Sequence, residues 1–366
     1  MEFGAWPHVK GDLASARQNA SAFLDGLLPE NNRAQLARQN WGATWAGTGD
    51  AYCRLADLNI NKKEYDEATE AWLCALTAFE VARRLVADDD PRRAQVSAKV
   101  EAGLQRIGLS FGHEVESARI ACGDLRELLA YYLPAGTPNS RAPAVICVSN
   151  EEEKGATLLG RLLPVVMGRG MSLLVVSHQN IANHARGGSE IVLSHCLDYL
   201  SVRPDVDSSR IGIYGDGLSA SLATDFAAYD RRIAAAVCDG GIWNRTRSIR
   251  SIDWMTSTDD GADRDMVSGH RSRLARLPNC PILVVAGGRG VVSVCEAIKL
   301  QTVCMAARID VDLVMPQLIR GGRGEEVDNF VSSDDCIFRW LEQKLAPTPV
   351  VSGAAVLSRS FRRSSH

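Results

Sequence analysis

The stretch that decides the fold of this chain is RPDVDSSRIGIYGDGLSASLATDFAAYDRRIAAAVCDGG, residues 203–241. Two short apolar runs, RIGIYG and RIAAAVCDGG, enclose a helix-like stretch, and a glycine-rich turn separates the first run from it. Short apolar runs bounded by turn residues are typical of strands buried on both faces of a parallel sheet. The stretch therefore predicts a strand, a helix and a second, parallel strand.

The same alternation of apolar runs and helical stretches extends in both directions from this point. The further runs are APAVICVS at 142–149, MSLLVVSH at 171–178, CPILVVAGG at 280–288 and VDLVMPQ at 311–317, with a hairpin-like pair at 113–136 before them. Strands that alternate with helices predict an α/β fold with a doubly wound, mostly parallel sheet. Ligands bind at the carboxyl ends of strands in such sheets, so the residues that follow each run are the candidate site.

The first third of the chain has a different, helical pattern. Ala68, Trp72, Leu76, Phe79 and Arg83 recur at spacings of three and four residues, which places them on one face of a helix. The run DDDP at 88–91 ends this helix. We predict an N-terminal helical domain at 1–110, an α/β domain at 111–346 and a flexible tail at 347–366.

Composition limits the classes of partner. The chain has 366 residues, of which 46% are hydrophobic and 23% charged, and its formal net charge is -3. Nucleic acids and anionic membrane surfaces both require concentrated Lys and Arg, so we expect neither as a partner. The N-terminus lacks a signal-peptide pattern, which predicts a cytoplasmic protein. The ten cysteines contain no CxxC pair and are predicted to be buried thiols, with no metal site and no cofactor.

The 203–241 stretch resembles the central signature of the α/β-hydrolases that carry a helical N-terminal domain. This family includes the 2,6-dihydropseudooxynicotine hydrolases, the fungal heptaketide pigment hydrolases and the fermentation/respiration switch proteins. The resemblance extends from about Tyr52 to Leu345 and includes EAWLCALTAFEVARRL at 70–85 and AYYLPAG at 130–136. It implies an α/β-hydrolase fold with a Ser, an acid and a His as its catalytic triad, and it makes a role in secondary metabolism plausible by analogy.

The nucleophile of that family falls on a glycine in this chain. Counted from Arg210, the family's Ser position is Gly217, flanked by small residues as a nucleophile elbow requires. Two other residues could replace it. Ser219 satisfies a shifted small-x-Ser-x-small pattern, although the register set by Arg210 favours a place in the first turn of the helix. Asp216 lies in the elbow itself and could act as a nucleophile or base.

The acid and the base of the triad are also absent where the resemblance expects them. The loop after PILVVAGG and the loop before the last helix both contain GGRG, at 287–290 and 321–324. Glycine-rich turns expose N–H groups and Arg offers a planar fork of donors, a combination that suits a carboxylate or phosphate. We therefore predict that Arg289 and Arg323 bind an anionic ligand, together with Gly217; the alternative is that both arginines face solvent.

Two other strand-end loops are unusually polar. Asn150 and three glutamates follow the strand at 142–149. Carboxylates therefore approach the place where the oxyanion of a hydrolase reaction would develop, and their negative charge opposes hydrolysis. Asn150 is a candidate for binding the ligand. His178 follows the next strand and is our best candidate for an acid or base, with His184 as a binding residue nearby. In the alternative interpretation these imidazoles only hydrogen-bond their own loop.

Three functions compete for these features. The favoured one is a hydrolase-fold enzyme that performs elimination, cyclisation or group transfer on an anionic small metabolite, with His178 or Asp216 as base. The alternatives are an inactive scaffold or partner subunit of another biosynthetic enzyme, and a true ester or C–C hydrolase that uses Ser219. A homodimer or a partner enzyme is compatible with each. The pattern G-x-G-x-x-A at 215–220 with Asp239 downstream also fits a dinucleotide-binding fold, although the hydrolase resemblance accounts for the same glycines.

Overall fold

The computed structural model describes residues 12–27, 32–86, 90–110, 115–122, 127–136, 140–184, 188–240, 280–286, 298, 301–302, 305–306, 310–316, 318–320 and 326–347. Within these ranges the helices are α1 (Leu13–Asp25), α2 (Asn32–Lys62), α3 (Tyr65–Arg84), α4 (Pro91–Ser110), α5 (Gly155–Val166), α6 (His178–His184), α7 (Ser189–Ser201), α8 (Ser219–Tyr229) and α9 (Phe330–Lys344). The strands are β1 (Glu116–Ala121), β2 (Glu127–Leu133), β3 (Ala142–Val148), β4 (Ser172–Val176), β5 (Val206–Asp216), β6 (Ile233–Asp239), β7 (Ile282–Val285), β8 (Val311–Val314), β9 (Leu318–Arg320) and β10 (Glu326–Asp328).

Eight of these strands form one sheet in the order β1-β2-β4-β3-β5-β6-β7-β8. The pairs β1–β2 and β2–β4 are antiparallel, and all pairs from β4 to β8 are parallel. This confirms the predicted α/β class, the mostly parallel sheet and the hairpin at its start. The chain passes from β3 to β4 on one side and then to β5 on the other. The carboxyl ends of β3 and β5 therefore flank the crevice where such sheets bind ligands.

The two faces of the sheet bury separate apolar layers. Tyr214 on β5 belongs to the layer that also contains α5, α9 and the N-terminal helices. Ile211 and Ile213 on the same strand face the opposite layer, which contains α7 and α8. Alternation along β5 therefore places Asp216 on the side of Tyr214.

Helix α3 is the centre of the N-terminal helical layer. Its residues from Ala71 to Arg83 are all buried, because α1, α2, α4 and α5 pack around it. The prediction of a helix here is confirmed, and the residues predicted to share one face are buried together with those on its other sides. Gly160 on α5 brings this layer close to the sheet: a Cβ atom there would lie 2.3 Å from Cγ1 of Val100 on α4. The helices and the sheet thus share one apolar core.

Candidate functional site at the carboxyl ends of the strands

The turn between β5 and α8 has the geometry of a nucleophile elbow with a glycine at its apex. Gly217 has a φ of 59°, a left-handed conformation that glycine adopts without steric cost. Its N–H donates to the backbone oxygen of Asp239 at 2.7 Å, which attaches the turn to the end of β6. The register counted from Arg210 is therefore confirmed, since β5 ends at Asp216 and α8 begins at Ser219.

The side chain of Asn150 lies over this glycine. A Cβ atom on Gly217 would be 2.8 Å from both Cγ and Nδ2 of Asn150, well inside van der Waals contact. The amide thus occupies the space into which a nucleophile side chain would project. Its Oδ1 atom is buried and has no hydrogen-bond partner in the structure described. A buried acceptor without a donor costs about 1–3 kcal/mol.

A carboxylate lies at the neighbouring N–H group. Oε2 of Glu151 accepts a long hydrogen bond of 3.4 Å from the N–H of Leu218. In a nucleophile elbow, the N–H after the nucleophile is one of the two donors that stabilise the oxyanion. The expectation that a carboxylate approaches this place is confirmed for Glu151. Glu153 instead turns away and pairs with Arg83 at 2.6 Å.

His178 and Ser219 meet on the face of the sheet that α8 covers. Nδ1 of His178 is 2.8 Å from Oγ of Ser219, and that hydroxyl donates to the backbone oxygen of Ser149 at 2.6 Å. Because the hydroxyl has one proton and gives it to Ser149, Nδ1 must carry a hydrogen and donate it. In the neutral ring, Nε2 is then the proton-accepting nitrogen. Ser219 is completely buried in the first turn of α8, as the register predicts.

His178 differs from its predicted setting in one respect. It does not lie in an irregular loop but opens the short helix α6, with its N–H donated to Oγ of Ser149 at 3.2 Å. The next turn is fixed by the N–H of Asn180, which donates to Oγ of Ser177. The imidazole therefore has a fixed position relative to the ends of β3 and β4.

Asp216 points to the other face and is enclosed in ion pairs. Its side chain is 1% exposed and lies 2.8 Å from Nη1 of Arg161, a residue of α5. A general base has to reach the proton that it removes, so this enclosure disfavours the role of base or nucleophile for Asp216. Burial raises the pKa of Asp216, and the Arg161 guanidinium offsets part of that rise.

Arg161 is the centre of this buried cluster. Its Nε and Nη2 bind both oxygens of Asp334 on α9, at 3.1 and 2.9 Å, and Nη2 also donates to the hydroxyl of Tyr214. Tyr214 in turn donates to Oδ2 of Asp239 at 2.9 Å, and that oxygen is 3.6 Å from Arg161 Nη2. We call Arg161, Tyr214, Asp216, Asp239 and Asp334 the Arg161 cluster. One guanidinium is thus shared by three carboxylates.

A second set of charges on α3 adjoins the Arg161 cluster. Glu80 accepts from Arg83 at 2.8 Å and from Arg84 at 2.6 Å, and Arg84 also pairs with Asp328. Burial raises the pKa of Glu80, but the two guanidiniums lower it to about 2. The pair of Arg84 with Asp328 joins α3 to β10 through charge.

Comparison with known proteins supports the architecture. No family model and no curated protein matches the sequence. The structure of a 2,6-dihydroxy-pseudo-oxynicotine hydrolase superposes with a TM-score of 0.57 at 17% identity, covering 90% of this chain and 96% of that one. Coverage this high includes the helical layer as well as the sheet. The chain has the α/β-hydrolase fold.

Two other solved structures are similar over a smaller share of the chain. A puromycin-hydrolysing peptidase of Mycobacterium tuberculosis superposes with a TM-score of 0.49 at 17% identity, covering 64% of this chain and 40% of that one. An esterase of Pyrococcus furiosus gives 0.43 at 14% identity, covering 63% and 92%. In the described part of the chain, no helix is long and apolar enough to span a membrane.

Several of the predicted site residues are not among the described residues. Arg289, Arg323 and both GGRG loops lie outside the described residues, as do residues 348–366 of the predicted tail. The backbone of His184 ends α6, but its side chain is outside the description. Their assigned roles stay predictions. Among the described residues, no group of three or more His, Cys, Asp and Glu side chains is arranged to hold a metal ion.

Sequence reasoning missed the partners of Asp216. The signal was present in GATLLGRLLPVV, where Arg161 is the one charged residue of an otherwise apolar helix. An arginine in such a run requires a carboxylate partner when the helix is buried on all sides. Asp239, which completes the pattern of the dinucleotide alternative, accepts a hydrogen bond from Tyr214.

Proposed function

We propose that this protein has lost serine hydrolase chemistry and performs a non-hydrolytic reaction on an anionic small metabolite of secondary metabolism. The observation that carries the proposal is the contact between the Glu151 carboxylate and the Leu218 N–H. An acyl hydrolase needs that donor for the oxyanion of its intermediate, and a resident carboxylate repels such a charge. The glycine at the apex and the Asn150 amide over it support the same conclusion.

The same contact favours an anionic ligand. Glu151 is partly exposed, so its side chain can move into water and leave the N–H to a carboxylate of the ligand. A hydroxyl or amide group on that ligand could also donate to the buried Oδ1 of Asn150. We therefore expect a ligand with a carboxylate next to a hydrogen-bond donor. Arg289 and Arg323 are proposed to add charge to this site.

His178 is the proposed base. The bond from Nδ1 to Ser219 orients the ring and makes Nε2 the proton-accepting nitrogen of the neutral imidazole. Removal of a proton from a carbon beside a carbonyl group would start an elimination or a cyclisation, with the carbon retaining the electron pair. Ser219 would position the imidazole. As a completely buried residue, it is poorly placed to attack a substrate as the hydrolase alternative requires.

A second candidate is a non-catalytic partner of another enzyme. It is favoured by the closed elbow, since Asn150 occupies the nucleophile space and Glu151 accepts from an oxyanion donor. This alternative predicts that His178 can be replaced without loss of the pathway's product.

The deciding experiment uses small carboxylates that bear a neighbouring hydroxyl or amide group. We expect the wild-type protein to consume at least one of them, with a loss of about 10²–10⁴-fold in H178Q. H195Q is the matched control, because His195 lies on α7 and makes none of the elbow contacts described above, so it should leave the rate unchanged. Equal rates in H178Q and wild type would contradict the assignment of His178 as the base. If H178Q also leaves the pathway's product unchanged, the non-catalytic partner becomes the favoured function.

Labelling with a fluorophosphonate probe tests the loss of hydrolase chemistry separately. We expect no adduct on the wild-type protein, whose Ser219 has its hydroxyl bonded to Ser149. An adduct that disappears in S219A, but persists in the control S221A, would identify Ser219 as a nucleophile and overturn this part of the proposal.

A further inference from the structure

Asp239 differs from the other carboxylates of the Arg161 cluster in its access to solvent. Its side chain is 20% exposed, whereas those of Asp216 and Asp334 are 1% exposed. It ends β6, and its backbone oxygen accepts from the N–H of Gly217. Asp239 is therefore the described carboxylate of this cluster that reaches the carboxyl edge of the sheet, immediately beside the elbow.

The hydrogen bonds of the cluster leave one oxygen of Asp239 available. Arg161 donates to the Tyr214 hydroxyl, so the single proton of that hydroxyl is directed to Oδ2 of Asp239. Arg161 is closer to Asp216 and Asp334, at 2.8 and 2.9 Å, than to Asp239 at 3.6 Å. The guanidinium thus neutralises the two enclosed carboxylates better than the third, and Oδ1 of Asp239 can carry a proton.

We propose that Asp239 is the proton donor of the carboxyl-edge site and gives its carboxyl proton to an oxygen atom of the ligand bound beside Gly217. The inference rests on the proposed function for the presence of that ligand. In the step, the O–H bond of Asp239 breaks and its electron pair stays on the carboxylate, while a new O–H bond forms on the ligand. The carboxylate is then stabilised by Tyr214 and Arg161, and water returns the proton.

The electrostatic surroundings hold this proton at neutral pH. Burial and the charge of Asp216 raise the pKa of Asp239 to about 8, against the lowering effect of Arg161. The titratable and charged groups that face it come from β5, α5, α9 and β10: Tyr214, Asp216, Arg161, Asp334 and Asp328. In the order β4-β3-β5-β6, three strand spacings of about 4.8 Å separate the ends that carry His178 and Asp239, which is about 14 Å in all. The two groups thus flank the elbow from opposite sides, as a base and an acid that act on one ligand should.

The first test is a pH titration of protein labelled with ¹³C in its Asp carboxyl groups. We expect one resonance to titrate at about 8 in the wild type, to be absent in D239N and to persist in D312N. Asp312 is a suitable control because it is a partly exposed strand aspartate that is paired with Lys344. If the Asp239 resonance titrates near the ordinary Asp value of about 3.9, the proposal is wrong.

The second test measures proton uptake, with lactate as the probe because it combines a carboxylate with a hydroxyl group. Lactate binding is measured by calorimetry in two buffers of different ionisation enthalpy, at a pH near the titration midpoint of Asp239. The wild type should take up protons on binding, because a bound anion favours the protonated form of Asp239. D239N should bind lactate within about threefold of wild type but without proton uptake, since its amide donates a hydrogen bond yet cannot titrate. Proton uptake that persists in D239N would overturn the proposal.

The two tests separate this inference from the proposed function. The amide resonance of Leu218 reports whether lactate and related anions bind at the elbow. If that resonance does not shift, the proposed function and the donor role of Asp239 both fail, even when Asp239 titrates at about 8. If they bind at Leu218 without proton uptake, only the role of Asp239 fails.

Discussion

Polar residues that are close in sequence form different kinds of network on the two faces of the sheet. On the face of α5 and α9, Asp216 joins a charged cluster in which one guanidinium serves three carboxylates. On the face of α8, Ser219 and His178 form a neutral chain that ends on the backbone of Ser149. Asp216 and Ser219 are three residues apart in sequence, yet they take part in different networks. Charge makes the enclosed ion pairs of the first network costly to break, whereas the second network is held by neutral hydrogen bonds alone.

The largest effect should follow from removal of the cation at the centre of the Arg161 cluster. In R161M, the buried carboxylates of Asp216 and Asp334 lose their guanidinium, and breaking a buried ion pair costs about 3–5 kcal/mol. Urea unfolding should show this loss of stability. R169M is the control, since Arg169 pairs with the half-exposed Glu342 and should cost less than about 1 kcal/mol. If R161M and R169M lose similar free energies of unfolding, the Arg161 cluster stabilises the fold no more than the exposed pair of Arg169 with Glu342 does.

The next effect is a pH dependence that only the charged face should have. The pKa of Asp239 is about 8 in the folded protein and about 3.9 in an unfolded chain, so the folded state binds this proton more tightly. Its contribution to stability is complete below the lower value and is lost as the pH rises towards 8. Urea midpoints across this window should fall less steeply with pH in D239N than in wild type. An unchanged slope in D239N would assign the dependence to other groups.

Between the two faces, the elbow itself can be tested through its glycine. In G217A, the left-handed conformation costs about 1–2 kcal/mol and the new methyl group collides with Asn150. G47A is the control, because Gly47 lies in α2 with open space around it, and there alanine should stabilise by about 0.5–1 kcal/mol. Combining G217A with N150A should recover the part of the loss that comes from the collision. No recovery would mean that Asn150 moves aside freely.

The smallest effect is expected on the neutral face. S219A removes the hydroxyl between His178 and Ser149 and should cost about 1 kcal/mol. It should also release the ring from its single tautomer, which ¹⁵N chemical shifts of the imidazole report. S194A, which removes only a bond to the backbone of its own helix, should change stability by less than about 0.5 kcal/mol. A fixed tautomer in S219A would show that another contact orients the ring.

The sheet and the elbow could be predicted because both depend on local patterns. Apolar runs and the spacing from Arg210 were enough to place β5, the turn at Gly217 and the start of α8. The surroundings of Asp216 could not be predicted, since Arg161 and Asp334 are separated by 173 positions in the chain. Their meeting depends on where α5 and α9 pack. The pairing of His178 with Ser219 likewise depends on strand order, because β3 lies between β4 and β5.

The close contact at Gly160 has a consequence for how this architecture can vary. Val100 fits into the notch that the missing side chain leaves on α5, so a larger residue at position 160 would force α4 away from α5. Exchange of helical layers between related chains would therefore succeed only when the notch and the residue that fills it are inherited together. Helices α4 and α5 are complementary in shape at this contact. Substitutions at positions 100 and 160 should therefore occur together.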